Sequence, residues 1–69
     1  MDKEIYIVER WLVDHGEYIY AGVFCFEERD VAEAFVEHMQ SDDPDMMFML
    51  FPDYLFTNVN DAAAAARGR

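Results

Sequence analysis

Sixty-nine residues with a single cysteine, Cys25, make one small domain. Its core alone would supply only about 3–5 kcal/mol, and neither an internal disulfide nor a Cys/His zinc site is on offer to supplement it. A net charge of −10 and a pI near 4.2 argue against direct contact with nucleic acid or anionic lipid, both of which this surface would repel. The 54% hydrophobic and 16% aromatic content is too rich for a disordered acidic tail, while the apolar runs are far shorter than the ~18 residues of a membrane span.

The opening Met1-Asp2-Lys3-Glu4 is charged and mixed in sign, unlike a secretory leader, and a lone thiol suits a reducing compartment. A cytoplasmic protein is expected. Ile5–Val13 and Tyr18–Phe26 are β-branched and aromatic, and Asp14-His15-Gly16-Glu17 places a glycine where a tight turn needs one, so the pair reads as a β-hairpin. With His15 and Gly16 as the central pair, Val13 faces Tyr18, Trp11 faces Tyr20, Ile7 faces Phe24 and Ile5 faces Phe26 on one side. Leu12 with Ile19, Arg10 with Ala21, Val8 with Val23 and Tyr6 with Cys25 occupy the other. One face is aromatic and the other mostly aliphatic.

From about Asp30 to Gln40 the period becomes helical. Val31, Ala34, Phe35, His38 and Met39 form one stripe, with Ala32 and Val36 beside it. Asp30 and Glu33 have capping-box spacing, although a start at Glu27 or Glu28 fits equally, and both place acids at the positive end of the helix dipole. Ser41-Asp42-Asp43-Pro44-Asp45 ends the helix and returns the chain. Met46–Phe51 then reads as a buried strand, which Tyr54–Val59 either continues or pairs with as a further strand after Pro52-Asp53. The alanine-rich end, residues 61–69, has an Asn/Asp start and a cationic, glycine-containing finish, which suits a short helix prone to fraying.

Two constellations carry the functional reading. Eight of the fifteen acidic residues, namely Glu27, Glu28, Asp30, Glu33, Glu37, Asp42, Asp43 and Asp45, fall between positions 27 and 45, where Arg29 is the only Lys or Arg. At ~1.5 Å rise per residue, Asp30, Glu33 and Glu37 set carboxylates roughly 4.5–6 Å apart along one edge, a charge density of the same order as a DNA strand. The same run also serves as a solvated face that keeps a greasy small protein in solution. The second constellation is the hairpin. One helix covers one face, and the aliphatic side around Val8, Leu12, Ile19, Ala21 and Val23 suits a helix presenting Phe35 and Met39. Ile7, Trp11, Tyr18, Tyr20 and Phe24 are then left as an aromatic interaction patch, unless residues 46–60 fold back over them.

Other motifs lead nowhere sharp. Met46, Met47 and Met49 read as core filler ahead of the alternative, an adaptable binding surface. Cys25, His15 and His38 make no credible nucleophilic site, and Asp42-Asp43-Pro44-Asp45 lacks the glycine and terminal glutamate of a calcium loop. No catalytic, cofactor-binding or metal-binding residue is assigned.

The stretch Tyr20-Ala-Gly-Val-Phe-Cys-Phe-Glu-Glu-Arg-Asp-Val-Ala-Glu-Ala-Phe-Val-Glu-His-Met39 resembles a pattern in small bacterial and phage proteins of unknown role, in which a strand ending in Gly-Val-Phe runs into a helix bearing Ala-Glu-Ala-Phe. In size and acidity the chain also resembles phage-encoded inhibitors of host defence, anti-CRISPR and anti-restriction proteins, some of which mimic DNA. That likeness is to a category and assigns no individual residue.

The expected fold is α+β: a small antiparallel sheet in the order strand, strand, helix, strand, with room for a fourth strand. One helix packs on one face, residues 1–60 form the domain and residues 61–69 an alanine-rich tail. The expected function is non-enzymatic. The eight clustered acids, with Trp11 and Tyr20 adding aromatic contacts, bind a basic nucleic-acid-binding protein such as a CRISPR effector complex and block its ligand by charge mimicry. The alternative is a homodimeric accessory or structural protein joined through the aromatic hairpin face.

Overall fold

The computed structural model describes residues 3–68. Five elements follow in order: β1 (Lys3–Asp14), β2 (Glu17–Phe26), α1 (Arg29–Asp42), β3 (Met46–Leu55) and α2 (Val59–Arg67). The strands form one antiparallel sheet in the order β2-β1-β3, so the first strand is central and the later two flank it. The fold is α+β, with α1 packed on one face of the sheet.

The hairpin turn forms where glycine and its neighbour allow it. His15 and Gly16 both have positive φ, 50° and 81°, the sign that a two-residue type I′ turn requires at both central positions. Val13 then pairs with Tyr18, Leu12 with Ile19 and Trp11 with Tyr20, as the sequence suggests. Beyond Trp11 the register slips by one: Glu9 pairs with Val23, Val8 with Phe24, Ile7 with Cys25 and Tyr6 with Phe26. Ala21 and Gly22 together oppose Arg10, which makes a β-bulge. Gly22 takes φ +128°, a region closed in practice to residues with a Cβ. Arg10 fastens the bulge by donating to the Ala21 carbonyl from Nε (3.0 Å) and Nη2 (2.7 Å), and its Cζ lies 5.2 Å from the Phe24 ring centroid.

This slip corrects the face assignment of β2. An extra residue reverses every later side chain, so Phe24 and Phe26 join Val8 on the helix-covered face, while Val23 and Cys25 cross to the side of Trp11. The covered face is therefore aromatic where an aliphatic one was expected. Phe35 of α1 sits at its centre, with ring centroids 4.9 Å from Phe24, 5.1 Å from Phe26 and 6.5 Å from Phe48. Among the described residues, Val8 and Ala32 alone are fully buried, with the small Ala32 side chain on the sheet side of α1.

Of the two helix starts the sequence offers, the earlier one holds: Glu28 is the N-cap of α1 and Arg29 its first residue, although Glu28 makes no side-chain capping bond. The Asp30–Glu33 capping box does not form: Asp30 accepts from the Val31 N–H at 3.1 Å, and Glu33 pairs with Arg29 at 3.0 Å. After the Asp43–Asp45 turn, β3 runs without interruption through Pro52 to Leu55, so the chain continues the strand as one of the two readings has it; Val59 instead starts α2, and no fourth strand forms among the described residues. β3 is an edge strand, where a residue lacking an N–H is tolerated because one side of the strand has no ladder to complete.

The terminal helix begins at Val59, two residues before the expected start. Asn58 caps it, accepting from the Asp61 N–H and donating to the Asp61 carboxylate, both at 2.8 Å. Arg69 lies outside the described residues. Within residues 3–68, α2 packs against no other element.

Candidate functional site

The clustered acids decorate the outer side of α1. At about 100° per residue, Ala32, Phe35 and Met39 point to the sheet, and Asp30, Glu33 and Glu37 fall within roughly 60° of one another on the opposite side. All three are exposed, as are Glu27, Glu28, Asp42 and Asp45. Asp43 is the exception: it is half-buried at the C-cap, where its N–H donates to the Met39 carbonyl at 3.0 Å. Asp42 turns towards one flank, 3.6 Å from His38 Nε2. The structure thus brings Asp30, Glu33 and Glu37 into one outward row, with Glu27 and the N-cap Glu28 before it and Asp42, Asp43 and Asp45 as a separate acidic end.

Among the described residues, little positive charge opposes this row. Lys3 reaches Glu27 at 3.0 Å and Arg29 reaches Glu33 at 3.0 Å, both pairs largely in solvent and so weakly held. Arg10 is engaged at the bulge on the other side of α1's packing layer. The helix dipole favours the acids at the N-terminus. It opposes Asp42, which stands in a last turn that contains no basic residue.

Trp11 and Tyr20 belong to a second surface, on the face of the sheet turned away from α1. Their rings meet edge to face, with centroids 5.5 Å apart. Tyr18 (61% exposed), Tyr20 (54%), Val23 (48%) and Met49 (47%) surround them, and Trp11, Tyr18, Met47 and Met49 border a shallow open groove. The Trp11 indole Nε1 is enclosed without a hydrogen-bond partner. β3 joins the free edge of β1 and does not fold back, so residues 46–60 extend this face instead of covering it.

The patch differs in membership from its sequence-based outline. Ile7, Trp11, Tyr18 and Tyr20 are on it, Phe24 is not, and Val23, Cys25, Met47 and Met49 were missed. Gly22, isolated within a strand pattern, was the available signal for the bulge that moved the β2 residues. Because the ridge and the patch lie on opposite sides of the sheet, a single flat partner cannot touch both.

Cys25 is exposed on β2, His15 sits in the turn 3.4 Å from Asp14, and His38 is on α1. Among the described residues, no three His, Cys, Asp or Glu side chains are grouped so as to hold a metal ion, and no helix is long and apolar enough to cross a membrane. Comparison with protein-family models, curated proteins and solved structures found no match.

Proposed function

We propose that this chain is a non-enzymatic binding protein whose α1 carboxylates occupy the phosphate sites of a basic, nucleic-acid-binding protein. The observation that carries this reading is the outward row of exposed Asp30, Glu33 and Glu37, set on a helix whose opposite side is anchored by Phe35. The charge arithmetic favours one strand over a duplex. α1 is 14 residues long, or roughly 21 Å. A single strand presents about six phosphates over that length and a duplex about twelve. α1 itself carries four acids, Asp30, Glu33, Glu37 and Asp42, and one arginine, Arg29, nearer the single-strand figure than the duplex one.

A cationic channel that grips a strand through its backbone is the fitting target, because such a channel reads charge spacing and not base identity. CRISPR effectors present channels of this kind, and antagonism of such a complex by a phage protein is the setting we propose. The test is competition between the protein and labelled single-stranded DNA for a purified effector complex. Affinity is expected to fall at least about tenfold between low and physiological salt, and the double variant Glu33→Lys/Glu37→Lys is expected to lose competition. Competition that ignores both salt and charge reversal would refute the decoy role.

A further inference from the structure

We infer that the open face of the sheet is closed by a second copy of this chain, packed face to face around a two-fold axis. The chain is under-buried for its size. Its accessible surface is 5245 Å² at a mass of 8.1 kDa, whereas a compact monomer of that mass exposes about 4,500 Å². Its radius of gyration is 14.4 Å, against about 11 Å for a globular chain of this length. The excess surface, roughly 700 Å², approaches the ~800 Å² that each partner contributes to a standard stable interface. α2, which packs on no other element within residues 3–68, contributes to it, and so does the apolar open face, where Tyr18, Tyr20, Val23 and Met49 are exposed around Trp11 and Met47.

Charge explains how a copy can dock despite the net −10. The acidic row is on the far side of α1, so packing two sheets through their open faces turns both rows outward. With each layer adding about 10 Å, the two helices stand roughly 30 Å apart, several times the ~8 Å Debye length at physiological salt. The docking face itself is almost uncharged. Among the described residues, Glu9 is the one charged side chain in its middle, between Val23 and Met49, and Lys3 and Asp53 lie at the end remote from the hairpin turn. A strongly basic partner finds few carboxylates here, whereas a copy offers the aromatic and methionine surface that the face itself presents. The same contact supplies the core that Val8 and Ala32 alone cannot.

Glu9 gives the inference a signature. On dimerisation its carboxylate loses water, at a cost far larger than an uncharged isostere bears. Sedimentation equilibrium of the full chain from 1 to 100 μM is expected to give twice the 8.1 kDa monomer mass. Met49→Lys and Tyr18→Lys, at exposed positions that leave the Phe35 layer intact, are expected to weaken association at least 100-fold while far-UV circular dichroism is retained. Glu9→Gln is expected to tighten it about tenfold. A monomer at 100 μM, or a dimer indifferent to Met49→Lys and Tyr18→Lys, overturns the inference. So does a dimer that Glu9→Gln weakens.

Discussion

Replacing Gly22 with alanine separates the bulge from every other contribution to the fold. An alanine Cβ there would lie 3.6 Å from Arg10 Nη2 and 3.8 Å from the Phe24 ring, ordinary contact distances, so space is no obstacle. The cost is conformational: at φ +128° a side chain strains the backbone by about 1–3 kcal/mol. Against a total of roughly 3–5 kcal/mol for a core of this size, that is about a fifth to more than half of the stability. It corresponds to a fall in Tm of roughly 5–20 °C for a domain of this length. Urea and thermal denaturation followed by far-UV circular dichroism, at one fixed protein concentration, measure it directly. Deleting Gly22 makes the opposite point. With one residue fewer, Ala21 alone opposes Arg10, and every pair from Glu9–Val23 to Tyr6–Phe26 keeps its register and its face. The deletion is therefore expected to cost less than Gly22→Ala. A Gly22→Ala variant as stable as the parent, or a deletion more damaging than the substitution, would show that Gly22 is not held in its conformation by the bulge.

Phe35→Ala is expected to lower stability by about 2–3 kcal/mol, because the ring is half-buried and contacts Phe24, Phe26 and Phe48. A loss below about 1 kcal/mol in a urea titration would mean that α1 is anchored elsewhere. Asn58→Ala removes the cap of α2 and is expected to cost that helix about 1 kcal/mol. The ellipticity at 222 nm should fall while the midpoint of global unfolding stays put, since α2 packs on no other element within residues 3–68. Tyr6 donates a 2.8 Å hydrogen bond to Glu4, and that bond, with smaller contributions from desolvation and the Glu4 charge, raises its phenol above the usual value near 10 despite the pull of Arg29. The raised value favours the protonated phenol in the folded state, so its stabilising effect is present below pH ~10 and disappears as pH rises through the folded value. Titration at 295 nm should show one tyrosine ionising late, and Glu4→Ala should abolish the delay.

Local chemistry was enough to write the hairpin turn, the helix and the acidic row into the sequence. His15-Gly16 has the residue types that positive φ demands, and Phe35 and Met39 repeat at the helical period. Asp30, Glu33 and Glu37 share a side of any helix that contains them. Each depends on residues within a few positions of one another, so periodicity and turn propensity are sufficient. The acidic end at Asp43 was less legible, because its half-burial follows from how the chain leaves α1 for β3.

Three matters were decided only when the strands met. A one-residue bulge at Gly22 selected which aromatics of β2 lie beneath α1, since strand periodicity propagates any slip to every later side chain. The docking of β3 beside β1, instead of over it, left Trp11 and its neighbours without an internal cover. The same arrangement put the acidic row and the aromatic patch on opposite sides of one thin sheet. Charge density is a property of the chain and can be counted along it, but which surfaces coincide is set by pairings between residues far apart in sequence.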